Sequence, residues 1–477
     1  MTSACTDALA KLHEHLEHVG YDEDGVDRLV RDDGALGFED GLAALRLRPE
    51  ADEPLSLLVR LFLARESLPV ATAAVALGAV DLPELVRSGL VAVRDGVVRT
   101  RFALQPFEGL VLASDRSAGR LRADHVVQVG PATRMLAALT VRRPVDTALD
   151  LGTGSGAQAF LAARHSDRVV GLDLSLRALR LARLNAALNG VENVQWRQGN
   201  LFEPVRDERF GLVVANPPFV VSPVRELTYR DGGLEGDMLS REAVTGAARH
   251  LREGGFASVL CSWITAPGDE RVDTPRRWLD GSGCDVWVVE LSTDGPVTYA
   301  VRWNGLPGRR PATVASAAEP WLADYRARGI EAISTGAIVI RKRSGKNWTR
   351  FDELALAPRG DAAAHVERIF AAQDYLQSLL QPLGDESKLL TAALALAPGT
   401  LLVERRRPGG ELERARLTVE QGIPLPGRVP LSVAPVLAAL DGRRPLADIV
   451  APAARAEALP ALRELVARGL LVPDAER

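Results

Sequence analysis

The segment Asn216-Pro217-Pro218-Phe219 has the residue types needed to hold a flat NH2 group for attack on an electrophile. The nitrogen of an amide or a nucleobase amino group is a poor nucleophile, because its lone pair is delocalised. The side-chain oxygen of Asn216 and the carbonyl of Pro217 can each accept one N–H, while the prolines restrict the backbone. Phe219 can stack on the planar group, so positioning would supply most of the rate gain without a general base. A strand-ending turn is the structural alternative.

Two segments upstream have residue types suited to an adenosine ligand. A short apolar run, 147–151, includes Asp150 and ends at the glycine-rich segment Gly152-Thr153-Gly154-Ser155-Gly156. Glycines at every second position permit positive φ and remove Cβ atoms, so a ligand can lie against the main chain. A second apolar run, 168–172, ends in Asp173, whose carboxylate can accept hydrogen bonds from both hydroxyls of a ribose. Dinucleotide-binding folds have the different spacing Gly-x-Gly-x-x-Gly, and such a fold with a degenerate loop is the alternative.

With these motifs in this order, residues from roughly Arg122 to Arg343 resemble the class I, Rossmann-like methyltransferases that use S-adenosylmethionine (SAM). The resemblance implies that Asp173 binds the ribose, that Asn200 lies near the adenine where the family usually has an acid, and that Asn216 also contacts the cofactor. The remaining cofactor residues that it implies are those of the glycine loop, namely Asp150, Gly152, Thr153, Gly154 and Gly156.

The residues after the tetrapeptide narrow this resemblance. The segment Asp231-Gly232-Gly233-Leu234-Glu235-Gly236-Asp237 is similar to the glycine-acid segment of release-factor glutamine methyltransferases. Those enzymes usually have tyrosine as the fourth residue of the tetrapeptide. Phenylalanine, which this chain has as Phe219, is as frequent there in the related rRNA guanine methyltransferases. The resemblance therefore implies methylation of a planar nitrogen, with a protein glutamine slightly favoured over a nucleobase. The alternatives are an rRNA or tRNA base methyltransferase, a carboxylate O-methyltransferase of a peptide or metabolite, and a SAM-sensing winged-helix regulator.

These motifs require strands that end beside one another. We predict an α/β fold for residues 114–345, with a seven-stranded, mostly parallel, doubly wound sheet whose last strand runs antiparallel. An aromatic-rich insertion, 293–333, would either wall the substrate pocket or form a packed lobe. The segment 130–133 would close over the methionine end of the cofactor, and Arg134 would face its carboxylate or lie at the surface.

The chain of 477 residues is long enough for two or three domains. Residues 1–113 and 346–477 are predicted as flanking modules, winged-helix-like in the first case and from about residue 430 in the second. In the first module we expect helices over 55–65 and 70–77, a third from its cap at Asp81 to Gly89, and a hairpin of 90–94 with 97–104. Such modules could dock a substrate or simply pack against the cofactor domain.

Composition constrains the functional class. With 47% hydrophobic and 25% charged residues, the chain is typical of soluble globular proteins, and its net charge of −4 argues weakly against a strongly nucleic-acid-binding surface. The widely spaced Cys5, Cys261 and Cys284 form no metal spacing or disulfide framework, which suits a reducing cytoplasm. Cys261 and Cys284 fall in apolar, strand-like runs and are predicted to be buried thiols. The longest apolar run is too short for a bilayer, so we expect no membrane role. No metal site is expected from His13, His15 and His18, and the oligomeric state stays open.

Two basic segments could contact nucleic acid. Residues 341–350 combine five basic residues with Trp348 and contain no acid, although basic residues at a strand end are often only solvated. Arg405-Arg406-Arg407 lies among glutamates and is the weaker candidate. Protein and nucleic acid both remain possible substrates at this point.

Overall fold

The computed structural model describes residues 2–31, 37–115, 122–224, 228–305, 310–360, 362–380, 386–425 and 427–473. The chain forms two compact units. The first comprises Met1–Arg134, Pro144–Val286 and Asp294–Trp348, and the second comprises Met135–Arg143, Trp287–Thr293 and Thr349–Arg477. The domain boundaries predicted near residues 113 and 345 stay predictions. Within the described ranges, no helix is both long and apolar enough to cross a membrane.

Eighteen α-helices occur in the described ranges. They are α1 (Ser3–His18), α2 (Glu23–Arg31), α3 (Phe38–Ala44), α4 (Pro54–Phe62), α5 (Val70–Leu77), α6 (Leu82–Ser88), α7 (Pro131–Leu139), α8 (Ala157–Ala163), α9 (Leu176–Leu188), α10 (Thr228–Asp231), α11 (Met238–His250), α12 (Asp273–Leu279), α13 (Pro296–Asn304), α14 (Pro311–Ala327), α15 (Ala363–Leu379), α16 (Ala434–Ala439), α17 (Leu446–Ile449) and α18 (Arg455–Ala467).

The same ranges contain eighteen strands. They are β1 (Leu68–Pro69), β2 (Val91–Arg94), β3 (Val97–Thr100), β4 (Ala103–Phe107), β5 (Leu110–Ser114), β6 (Val145–Leu151), β7 (Ser166–Asp173), β8 (Val194–Gln198), β9 (Phe210–Ala215), β10 (Leu251–Thr265), β11 (Cys284–Asp294), β12 (Ala332–Lys342), β13 (Thr349–Glu353), β14 (Leu394–Leu396), β15 (Thr400–Arg406), β16 (Leu412–Val419), β17 (Arg428–Val429) and β18 (Leu471–Pro473).

The central sheet confirms the predicted α/β class. Seven of its strands follow the order β11-β12-β10-β9-β6-β7-β8. The strands from β10 to β8 are parallel to their neighbours, and β12 runs antiparallel to β10, as predicted for the last strand. The apolar side chains of β6, β7 and β9 are buried, as expected for parallel strands covered on both faces. The prediction of seven strands missed β13, which continues the sheet beside β11.

Residues 54–100 form three helices, α4 to α6, and a small sheet, close to the predicted bounds, and the helices α1 to α3 precede them. Asp81 caps α6 by accepting a hydrogen bond from the Glu84 N–H at 3.0 Å, and Gly89 ends the helix in the left-handed conformation. Strands β2 and β3 pair across Asp95-Gly96, as predicted, and β1 adds a third strand. The strand predicted over 97–104 was wrong, because it ends at Thr100 and β4 instead pairs with β5. The winged-helix interpretation stays a prediction.

The C-terminal residues form a second hydrophobic core around α15, α16 and α18. Helix α18 begins at Arg455, so that Pro460 lies inside it. Proline lacks an amide hydrogen, and the helix forgoes one hydrogen bond there. Burial of Ala458, Leu459 and Leu462 offsets that loss. The winged-helix interpretation of this part also stays a prediction.

The structure confirms the prediction that Cys261 and Cys284 are buried thiols. Cys5, Cys261 and Cys284 are all free and buried. Burial raises the pKa of the Cys261 thiol, which keeps it in the unreactive protonated form.

Candidate active site

Three adjacent parallel strands bring the motifs together. Leu151 at the end of β6 pairs with Leu172 of β7 on one side and with Ala215 of β9 on the other. The glycine loop, Asp173 and Asn216 each follow directly after one of these ends. Because parallel strands all finish at the same edge of a sheet, the three segments meet there.

The glycine loop has the backbone conformation expected from its sequence. The φ angles of Gly152, Gly154 and Gly156 are +73°, +55° and +94°, a region that residues with a Cβ rarely adopt. The Asp150 carboxylate accepts hydrogen bonds from the Thr153 hydroxyl at 2.6 Å and from the Ala159 N–H at 2.9 Å. Asp150 is 2% exposed, and burial raises the pKa of its carboxyl to about 7. These contacts fix the loop to the start of α8.

Asp173 joins the loop to the next helix. Its carboxylate accepts hydrogen bonds from the Gly154 N–H at 2.9 Å and from the Ser175 N–H at 2.8 Å. Burial raises the pKa of this carboxyl, while the two N–H donors act in the opposite direction. A carboxylate has about four acceptor sites, so two remain for the hydroxyls of a ligand.

One cavity of about 620 Å³ is lined by every residue predicted for the cofactor and the acceptor except Gly156. This volume is typical of small-molecule sites. Asn200 is exposed at its rim, and Asp150, Gly152, Thr153 and Gly154 line it, whereas Gly156 lies outside the lining. Among the described lining residues the only Lys or Arg is Arg230, whose Nε lies 2.6 Å from Asp231 Oδ1. The one described cation of the lining is therefore paired with a carboxylate.

The predicted acceptor motif lines the same cavity. Asn216, Pro217, Pro218 and Phe219 all contribute to its wall. Within the part of the chain that the structure describes, neither the Asn216 amide nor the Pro217 carbonyl has a protein hydrogen-bond partner. Both can therefore receive hydrogen bonds from a bound molecule. Loop residue Gly152 lies close by, since a Cβ on it would be 3.8 Å from the Asn216 carbonyl oxygen.

The glycine-acid segment packs directly against the acceptor motif. Gly232 and Gly233 line the cavity with φ angles of +58° and +76°. A Cβ on Gly232 would lie 2.8 Å from the carbonyl oxygen of Pro218, too close for any other residue. The sequence indicated this segment by resemblance alone, and the structure gives the steric reason for its first glycine.

The insertion is both a cavity wall and a packed lobe, so the two alternatives from the sequence hold together. Trp303 of α13 lines the cavity and packs with Phe219 against one buried cluster. Tyr299, Trp321 and Tyr325 are buried in that cluster, with ring centroids 6.3 Å apart for the two tyrosines. The insertion therefore reaches the acceptor motif.

Two tyrosines of the insertion hold the backbone just after the acceptor motif. The Val221 N–H donates to the Tyr299 hydroxyl at 3.1 Å, and the Tyr325 hydroxyl donates to the Val221 carbonyl at 2.6 Å. Val221 is 1% exposed, so each bond satisfies a main-chain group that water cannot reach. We call Tyr299 and Tyr325 the tyrosine brace. Sequence reasoning singled out these tyrosines as aromatic residues but did not predict these bonds.

Residues 130–133, at the start of α7, also line the cavity, and their closure over the methionine end of the cofactor stays a prediction. Arg134 does not reach the cavity. Its Nη1 lies 2.5 Å from Glu23 Oε1, and its guanidinium lies 5.1 Å from the Phe107 ring centroid. The alternative of a surface arginine therefore holds.

His125 and Tyr229 also line the cavity, and sequence reasoning missed both. Their ring centroids are 5.7 Å apart. His125 Nδ1 lies 3.6 Å from Asp115 Oδ2, while burial lowers the pKa of the imidazole and favours its neutral form. Tyr229 lies two residues before Asp231. Its nearness to the glycine-acid segment was the one sequence feature that could have indicated that it lines the cavity.

The basic segment 341–350 is paired internally. Arg341 Nη2 lies 2.6 Å from Asp285 Oδ2, a carboxylate with no exposed side-chain surface, and Arg343 Nε lies 3.0 Å from the same oxygen. In the second unit, Arg350 Nε lies 2.5 Å from Asp352 Oδ2. These arginines neutralise buried acids, so the sequence overstated the segment as a surface for nucleic acid.

Comparison with known proteins gives matches for two parts of the chain. Residues 126–262 match the family model for the Methyltransferase small domain, and residues 18–101 match a domain of unknown function, DUF7059. The chain is 39% identical over 126 residues to a release factor glutamine methyltransferase of Xylella fastidiosa, covering 24% of this chain and 46% of that protein. It is 33% identical over 172 residues to a ribosomal protein uL3 glutamine methyltransferase of Bradyrhizobium diazoefficiens, covering 31% and 52%.

The chain thus spans about half the length of these curated relatives. Among solved structures, the YcgJ protein from Bacillus subtilis aligns with 45% of this chain and 99% of that chain, at 18% identity and a TM-score of 0.29.

Proposed function

Because the chain contains a SAM-dependent methyltransferase domain with the class I fold, we propose that it methylates the side-chain amide nitrogen of a protein glutamine. One observation carries this proposal. The Asn216 amide has no protein partner within the described residues and lies in the same cavity as the glycine loop. Two relatives whose names specify glutamine methylation support the choice of acceptor.

The cavity suits the methyl donor that the family and fold imply. The glycine loop would receive the adenosine part against its backbone, and Asp173 would accept hydrogen bonds from the ribose. Asn200 would contact the adenine at the rim. When bound, SAM supplies a methyl group on a positively charged sulfur.

On the acceptor side, the residues would hold both hydrogens of the amide. The Asn216 oxygen would accept one N–H and the Pro217 carbonyl the other, which turns the nitrogen lone pair towards the donor. Phe219 would stack on the planar group, with Trp303 as the facing wall. Transfer would form a carbon–nitrogen bond in place of the donor's carbon–sulfur bond, and the nitrogen would then lose one proton to solvent. The oxygens of Asn216 and Pro217 would stabilise the positive charge that develops on the nitrogen.

A labelling experiment tests the proposal. The purified protein is incubated with methyl-labelled SAM and a cell extract. One portion of the labelled product is treated with protease and another with nuclease. We expect the label to be released by protease and to resist nuclease. A label that resists protease and is released by nuclease would make a nucleobase the acceptor.

A further inference from the structure

A small sheet of the second unit has two unlike faces. Strands β15, β16 and β17 are antiparallel neighbours, and residues paired across them point to the same side. One face includes Ala415, Leu417 and Val419, which are buried in the core of this unit. The other face is solvent-exposed and includes Leu401 and Val403, whose exposed fractions are 44% and 38%. The polar residues of this second face are therefore not needed to cover a core.

That exposed face has four arginines in a continuous track. Arg405 pairs directly with Arg414 across β15 and β16, and Arg416 pairs directly with Arg428 across β16 and β17. Arg414 and Arg416 are alternate residues of one strand and so lie about 7 Å apart on the same side. We call Arg405, Arg414, Arg416 and Arg428 the arginine track.

The arginine track is mostly without counter-charges. Arg405 Nε lies 3.0 Å from Glu413 Oε2. Within the described residues of the chain, no carboxylate forms an ion pair with Arg414, Arg416 or Arg428. Like charges directly opposite each other destabilise a sheet. The fold gains nothing from this arrangement, which points to an external anion.

We propose that the arginine track binds the phosphate backbone of a nucleic-acid duplex. Guanidinium groups bind phosphate oxygens bidentately. A row of arginines therefore suits a ligand with successive phosphates better than a ligand with single carboxylates. The face has no aromatic residue to stack with an unpaired base, which favours a duplex over a single strand. Binding would be independent of sequence, since only the backbone is contacted. This surface does not depend on the proposed methyl transfer.

A salt titration of duplex binding tests the track. Fluorescence anisotropy is measured with a fluorescein-labelled RNA duplex, a DNA duplex of the same sequence and length, the single RNA strand, and a polyglutamate peptide. For three to four neutralised phosphates we expect a slope of log affinity against log salt of about −3. The triple variant Arg414→Gln, Arg416→Gln and Arg428→Gln should lose at least about tenfold in affinity at low salt and flatten the slope by about 2 to 3.

A matched variant has the same net charge. Arg94→Gln, Arg180→Gln and Arg183→Gln remove three exposed arginines of the first unit and should leave duplex binding within about twofold of the original protein. Unchanged melting temperatures would show that both variants are folded. The proposal is overturned if the track variant keeps the affinity and slope of the original chain, or if both variants lose binding equally. Tighter binding of polyglutamate or of the single strand would overturn it in favour of that ligand. Preference between the RNA and DNA duplexes identifies the source of the phosphates, and binding of either supports the track.

Discussion

The cofactor side and the acceptor side of the cavity are built by different parts of the chain. On the cofactor side, the bonds of the glycine loop join residues close in sequence, such as Thr153 with Asp150 and Gly154 with Asp173. On the acceptor side, Val221 is held by Tyr299 and Tyr325, which follow it by 78 and 104 residues. The cofactor side is thus a local motif, whereas the acceptor side depends on the insertion.

This difference has a functional consequence. A local motif can be kept while the insertion changes, so a class of enzymes can share a cofactor and differ in acceptor. If the two sides are independent in this protein, a change on one side should alter one kinetic constant and leave the other. The following variants test that separation.

The largest effect is expected for Asn216→Ala on the acceptor side. Loss of a fixed acceptor for the reacting group should lower kcat by about 10²- to 10³-fold. Affinity for SAM, measured by calorimetry, should stay within about threefold, because the cofactor contacts of the glycine loop and Asp173 remain. Asn200→Ala is the matched control at the rim of the cofactor side, and should weaken SAM binding without lowering kcat. Equal loss of SAM affinity in both variants would show that the two sides are not separate.

On the cofactor side, Asp173→Asn should weaken SAM binding and spare turnover at saturation. Hydrogen bonds to a charged group contribute about 1.5–3 kcal/mol, so the Kd for SAM should rise by about 10- to 100-fold. Asp146→Asn, at an exposed residue paired with Arg252, is the matched control and should change nothing. A fall in kcat at saturating SAM, with Kd unchanged, would contradict the assignment of Asp173 to the ribose.

Asp150 should make the stability of the cofactor side depend on pH. Burial raises the pKa of its carboxyl to about 7, above the value of about 3.9 expected in the unfolded chain. The folded protein therefore binds this proton more tightly, and the resulting stability is full below about pH 4 and is lost as the pH rises through about 7. The substitution Asp150→Asn removes the carboxyl group that titrates. Between those pH values the free energy of unfolding of the original chain should fall, relative to the variant, by up to about 1.4 kcal/mol per pH unit. Denaturant titrations at pH 5, 6 and 7 measure this difference in the free energy of unfolding. Parallel pH profiles for the original chain and the variant would contradict the prediction.

The smallest effect on catalysis is expected from the tyrosine brace. Tyr325→Phe leaves the buried Val221 carbonyl without its donor and should cost about 1–3 kcal/mol of stability. It should also raise the KM for the acceptor several-fold while the Kd for SAM stays unchanged. Tyr21→Phe is the matched control, because the buried Tyr21 hydroxyl donates to the Leu104 carbonyl at 2.8 Å in the N-terminal part. It should cost similar stability and leave the acceptor KM alone. Equal KM values in the two variants would reduce the brace to a structural role.

The sequence predicted the conformation of the glycine loop and the positions of Asp150 and Asp173 well because these signals are local. The spacing of Gly152, Gly154 and Gly156 permits the positive φ angles that the loop adopts, and each carboxylate lies at the end of an apolar strand of the same sheet. The acceptor side could be predicted only in part. Asn216 was visible as a motif, but the bonds of the tyrosine brace depend on two helices folding back across a long stretch of chain.

Charge was harder to interpret than apolar pattern. The basic segment 341–350 was the strongest sequence candidate for nucleic acid, yet Arg341 and Arg343 pair with the distant, buried Asp285. Arg414 and Arg416 attracted no notice in sequence, because only strand pairing aligns them with Arg405 and Arg428. The number of basic residues in a segment does not reveal where their counter-charges lie, because those partners come from other strands.

The chemical form of the transferred methyl group tests the central claim most directly. Protein labelled with methyl-labelled SAM is freed of nucleic acid and split into two portions, one for mild alkali and one for complete acid hydrolysis. A methylated glutamine amide is stable to mild alkali and gives labelled methylamine in acid, and this is the predicted result. Labelled methanol released by mild alkali would identify a carboxylate ester and would contradict a site built to hold two N–H bonds.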